Sequence, residues 1–163
     1  DCEKFVSFCK YPPIGQRSFG PMRAQLVYGM DYFENANSNI LCFAMIETKE
    51  AIENLDEILS VPSLTGVYIG PADMSSSYGL KPKFDVKEDP VFSNIKLIAK
   101  KAKEYGKIAG IHNGTTQYAK EMITIGYQLV TISSDFRAMT AYAQSVVDEM
   151  KELTKKTNQS DTY

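Results

Sequence analysis

Two acids stand where this chain could do chemistry. Glu47 closes the apolar run from Leu41 to Ile46, and Asp73 follows the run Val67 to Ile69 after Gly70-Pro71-Ala72. A continuous apolar run of strand length reads as a strand buried on both faces, as in a parallel sheet flanked by helices. Such sheets carry their ligands at the carboxyl ends of the strands, so both acids fall on one rim. A carboxylate pair there suits a hard divalent cation such as Mg²⁺ or Mn²⁺, which takes one or two protein carboxylates plus water and substrate oxygens. Acids also cap and charge the N-termini of helices, and spacing alone leaves both readings standing.

Three other groups could take part. Ser75, Ser76 and Ser77 offer hydroxyls at an expected helix start, as an anion cradle or as a polar loop. Arg17, in the glycine-containing loop Ile14 to Pro21, could grip an anion bidentately or sit on the surface. His112 is the only histidine and falls at the end of a third apolar run, as an acid/base candidate or a structural residue.

The elements that must position these residues follow from periodicity and punctuation. Asp1 to Lys10 has helical spacing and stops at Tyr11-Pro12-Pro13. Met22 to Asn37 is helical with a break near Gly29. Thr48 caps a helix predicted to run to Leu59. Asp89-Pro90 opens a helix that ends at Gly106. Lys107 to Ile111 is the third strand, and Thr115 caps a helix to Ile125. Gln128 to Ser133 is the fourth strand, followed by a long helix from Phe136 to Lys156. This makes four strand-then-helix units in one α/β domain over residues 1–156, with a polar tail expected to be disordered over 157–163.

Composition narrows the function classes. The formal net charge of −2 leaves no basic footprint for nucleic acid or a membrane surface. No apolar run approaches the roughly 18 residues that span a bilayer, and the N-terminus lacks the layout of a signal peptide. Cys2, Cys9 and Cys42 are an odd set without metal-ligand spacing, expected to be reduced thiols of a cytoplasmic protein. Opening on the end of a helix, with Asp1 first, leads us to expect sequence upstream.

The stretches KYPPIGQRSFGP, the AN of FENAN, MIETKEAIENLDEI and GVYIGPADMS together resemble the 4-hydroxy-2-oxoheptanedioate aldolase / citrate lyase β-subunit family. The resemblance runs, with gaps, from about Lys10 to Leu153. It implies a metal-dependent class II aldolase, a carbon–carbon lyase cleaving 4-hydroxy-2-oxo acids to pyruvate and an aldehyde, on a (β/α)₈ TIM barrel. A citramalyl- or malyl-CoA-type lyase and a non-catalytic half-barrel are the alternatives. Glu47 and Asp73 match the family's two metal-ligating carboxylates. The segment Gly70, Pro71, Ala72, Asp73 matches the loop that holds the substrate carboxylate. A full barrel takes about 250 residues, so the four units here correspond to the C-terminal half, strands five to eight. The family's histidine base and substrate arginine belong to the other half, which a complete enzyme would require, and the family tends to form hexamers. Met45 stands where many relatives have glutamine.

Overall fold

The structure is a computed structural model that describes residues 1–160, with side chains as far as Lys151. It falls into two compact units, one from Asp1 to Thr131 and one beginning at Ile132.

In the first unit, α1 (Cys2–Cys9), α2 (Met22–Tyr28) and α3 (Tyr32–Asn39) precede β1 (Phe43–Ile46). The break between α2 and α3 comes at Gly29, whose φ of 97° ends the helix. Asn37 laces this region together, accepting from the Tyr11 amide at 2.7 Å and donating to the Tyr11 carbonyl at 3.0 Å. The buried ammonium of Lys10 donates to the carbonyls of Asn37 and Ile40.

Next come α4 (Lys49–Glu53), α5 (Leu55–Ser60), β2 (Gly66–Ile69), α6 (Pro71–Ser77), α7 (Val91–Glu104), β3 (Ile108–Asn113), α8 (Thr116–Ile125) and β4 (Leu129–Ile132). The single helix expected from Thr48 to Leu59 is two, divided at Asn54, whose side-chain amide turns back to the Glu50 carbonyl at 2.8 Å. Thr48 and Thr115 are the caps that the sequence indicates, accepting from Ala51 and Tyr118 amides.

The sheet order is β1-β2-β3-β4, with β1–β2 and β2–β3 parallel. A doubly wound sheet reverses its order at a switch point; this one never does. Successive right-handed crossovers therefore carry the helices to one side, and the sheet is an arc of a barrel. Register sets Ala44, Val67 and Ala109 in one row and Ile46, Ile69 and Ile111 in another, all on the helix face. Ile46, Val67, Ile69, Ala109 and Ile111 are fully buried there, in one core with Leu59, Met74, Ile95, Ile98 and Met122. Each large side chain so buried contributes about 1.5–3 kcal/mol. The opposite face is open, with Met45 at 49% and Leu129 at 38% exposure. The expectation of strands buried on both faces is thus corrected within this unit.

In the second unit, α9 (Asp135–Ser160) carries Phe136, Met139, Tyr142, Val146 and Met150 at helical spacing, all exposed. Of the expected tail, 161–163 lie outside the described residues.

Candidate metal and substrate site

At the carboxyl rim, the pair Ile46↔Ile69 makes Glu47 and Gly70 neighbours on the open face. The Glu47 carboxylate leans across: a Cβ built on Gly70 would lie 2.8 Å from Glu47 Oε2. The same interlock recurs below, where the Phe43 ring lies over Gly66 and the Tyr68 ring over Gly110. Glycine on one strand makes room for a large side chain from the strand before it, the layered filling of a barrel interior.

Helix α6 begins directly after Gly70, with Pro71 at its first position and Asp73 in its first turn. Asp73 is exposed and Glu47 half-buried. The turn bearing Glu47 is tied to α6, because the Lys49 amide donates to Ser77 Oγ at 2.8 Å. Neither acid takes a hydrogen bond or ion pair from the described residues, whereas Asp56 engages Lys101, Asp85 the Gly114 amide, and Asp89 Ser93. Two carboxylates with free lone pairs are an all-oxygen donor set. They fit a hard cation that completes its shell with water and substrate rather than a closed tetrahedral zinc site. No group of three or more His, Cys, Asp or Glu suited to a metal occurs among the described residues.

The serine run is not an anion cradle. Helix α6 starts before it, and Ser75 and Ser76 donate back to the Pro71 and Ala72 carbonyls at 2.7 and 3.2 Å. Arg17 lies over the Tyr11 ring, 4.5 Å from its centroid, and donates to the Tyr32 hydroxyl at 3.2 Å, so it orders its loop. The thiols of Cys2 and Cys42 are free, and burial first of all pushes both up, which keeps them protonated.

His112 lies inside β3, which runs two residues beyond Ile111, where the sequence indicated the strand's end. Its Nδ1 is 2.9 Å from Thr131 Oγ1, and the same oxygen is bonded to the Tyr68 hydroxyl. The Phe84 ring meets the imidazole edge-on at 4.9 Å. Asp85 beside it accepts from the Gly114 amide at 2.7 Å and the Thr115 hydroxyl at 2.6 Å. Sequence reading missed Tyr68, Thr131, Phe84 and Asp85. The available signal was a polar group at alternate positions of an otherwise apolar strand, Tyr68 in GVYIG and Thr131 in QLVTIS. A depression of about 760 Å³ elsewhere follows the edge of β1, lined by Phe5, Phe43, Met45 and Ile58, without Gly70, Asp73 or His112.

Residues 1–141 match the family model described as HpcH/HpaI aldolase/citrate lyase. A hydroxypyruvate/pyruvate aldolase from Rhizorhabdus wittichii is 37% identical over 153 residues, covering 94% of this chain and 61% of the relative. A 4-hydroxy-2-oxo-heptane-1,7-dioate aldolase from Shigella flexneri is 31% identical over 149 residues, covering 90% of this chain and 55% of the relative. Among solved structures, the HpcH/HpaI aldolase from Desulfitobacterium hafniense superposes with a TM-score of 0.79 at 26% identity, over 90% of this chain and 57% of that one. The chain therefore spans a little over half the length of the proteins it matches.

Proposed function

Because the chain belongs to the HpcH/HpaI aldolase/citrate lyase family, we propose that it is the metal-bearing half of a divalent-metal-dependent aldolase acting on 4-hydroxy-2-oxo acids. The observation that carries this reading is the unpaired Glu47 carboxylate held over Gly70, directly before the helix whose first turn carries Asp73. Glu47 and Asp73 hold Mg²⁺ or Mn²⁺. The bound cation supplies positive charge at the 2-oxo group, where negative charge develops as the bond breaks. The backbone from Gly70 to Asp73 receives the substrate carboxylate. Cleavage breaks the C3–C4 bond as the 4-hydroxyl gives up its proton. The aldehyde leaves, and the three-carbon enolate takes a proton at C3 to become pyruvate. By the family resemblance, the base for the hydroxyl comes from strands that this chain does not carry.

The open sheet face and the bare edge of β1 support a complete barrel, the other strands lying on the same polypeptide or on a partner chain. Parallel edges left open invite aggregation. Exposed Met22, Leu26 and Val27 on α2 suit self-association, and we propose a cytoplasmic homo-oligomer acting on small 2-oxo acids. A catalytically silent half-barrel is the competing reading, favoured by the same open face.

The deciding experiment measures pyruvate release from a 4-hydroxy-2-oxo acid by this chain together with the complementary four units. Turnover should require Mg²⁺ or Mn²⁺, stop with EDTA and return on adding metal. Glu47→Ala should lower kcat/KM by about 10²–10³-fold. Turnover indifferent to EDTA, or none at all, would remove the aldolase reading.

A further inference from the structure

One step past Ile46↔Ile69↔Ile111, register puts Glu47, Gly70 and His112 in a single row on the open face. Adjacent strands lie about 4.8 Å apart, so Glu47 and His112 spring from backbone roughly 10 Å apart with only a glycine between them. That gap is the size of a small oxo acid. We infer that His112 contacts the aldehyde half of the substrate, donating a hydrogen bond from Nε2–H to an oxygen on that half. Tyr68 and Thr131 are positioning residues that hold the ring in this state. The inference rests on the aldolase reading.

The hydrogen-bond inventory accommodates a ring protonated at Nε2. Thr131 Oγ1 has one hydrogen and two polar neighbours, the Tyr68 hydroxyl and His112 Nδ1. We assign Tyr68, the more acidic hydroxyl, as donor to Thr131, which leaves the Thr131 hydrogen for Nδ1. A neutral ring that accepts at Nδ1 carries its proton on Nε2. Tyr68 reaches Thr131 because its ring crosses β3 above Gly110, where a Cβ would meet it at 2.7 Å. The Phe84 ring fixes the tilt of the imidazole. Here Nε2 has no hydrogen-bond partner among the described residues, and it lies across the ring from the nitrogen that is held. A fixed donor on this face favours aldehydes with an oxygen next to the carbonyl carbon, such as hydroxyaldehydes, over alkyl aldehydes. A donor that bound substrate covers but does not match is costly, which is how a polar site rejects the analogue lacking its partner.

Since His112 is the only histidine, ¹⁵N-histidine labelling gives one imidazole signal. The spectrum should show the proton on Nε2, and Thr131→Val should convert the signal to a mixture of tautomers. In the metal-loaded enzyme with its complementary units, kcat/KM for adding pyruvate to glycolaldehyde is compared with that for propanal. The glycolaldehyde preference should fall at least about tenfold in His112→Leu and be largely kept in His112→Gln, whose amide nitrogen reaches the Nε2 position. A proton on Nδ1, or a preference unchanged in His112→Leu while both aldehydes still react, overturns the contact alone. No reaction of either aldehyde in the wild type overturns the aldolase reading and the contact with it.

Discussion

Gly70 shapes the rim by what it lacks. Its φ of −98° is open to any residue, so the reason for glycine is space: the first atom of a side chain would stand 2.8 Å from Glu47 Oε2. That oxygen ends a flexible side chain, and Gly70→Ala should therefore displace the carboxylate rather than unfold the chain. We expect an unchanged circular dichroism spectrum and Mn²⁺ affinity weakened about tenfold, the usual scale for disturbing a ligand's support. Calorimetric titration checks this, and unaltered affinity would mean that Glu47 does not bind metal from this position. Gly110 obeys the same spatial rule under Tyr68, while a Cβ on Gly66 would meet the Ile108 carbonyl at 2.2 Å before the Phe43 ring, so their substitution should disturb packing instead.

The segment between α6 and α7 works as a clamp on the end of β3. Asp85 receives the Gly114 amide and the Thr115 hydroxyl, while Thr115 Oγ1 also accepts from the Tyr118 amide and so starts α8. One carboxylate thus secures the turn after His112 and steadies the cap of the next helix. Asp85→Ala removes two hydrogen bonds to a charged acceptor, and should cost about 1–3 kcal/mol. Urea unfolding should show a lower midpoint at an unchanged slope. The break between α4 and α5 belongs to the same scale. Asn54 bonds back to the Glu50 carbonyl, a local competition that apolar spacing over Thr48 to Leu59 does not register.

Stability of the whole first unit depends on two phenols in its core. Tyr118 donates to the Val86 carbonyl at 2.6 Å and Tyr127 to the Ile95 carbonyl at 2.8 Å, each joining segments 32 residues apart. Burial, above all, pushes both hydroxyls well above the ordinary tyrosine range. In the unfolded chain they ionise near pH 10. A folded-state pKa above the unfolded one gives stability that is full below pH 10 and is lost as pH rises beyond it. The urea midpoint should therefore drop between about pH 10 and 12, and absorbance at 295 nm should show these tyrosines ionising only as the chain unfolds. A flat midpoint across that range would contradict their burial. The open sheet face belongs to this scale as well, because no single strand decides which side of a sheet its helices cover.

The sequence determined what local interactions determine. Thr48 and Thr115 cap helices through contacts three residues away, Gly29 and Gly126 end helices by their own backbone angles, and apolar runs mark the strands that deliver Glu47 and His112 to one rim. The quoted motifs also identified the family, since they are contiguous words. Tertiary structure alone decided that the helices gather on one face, that the serine hydroxyls are engaged within the chain, and that β3 continues through His112. It alone joined Tyr68 to Thr131 across 63 residues. The physical reason is register: which side chain fills the space above a glycine depends on how two distant strands align, and a slip of one residue would send Glu47, Tyr68 and His112 to the opposite face.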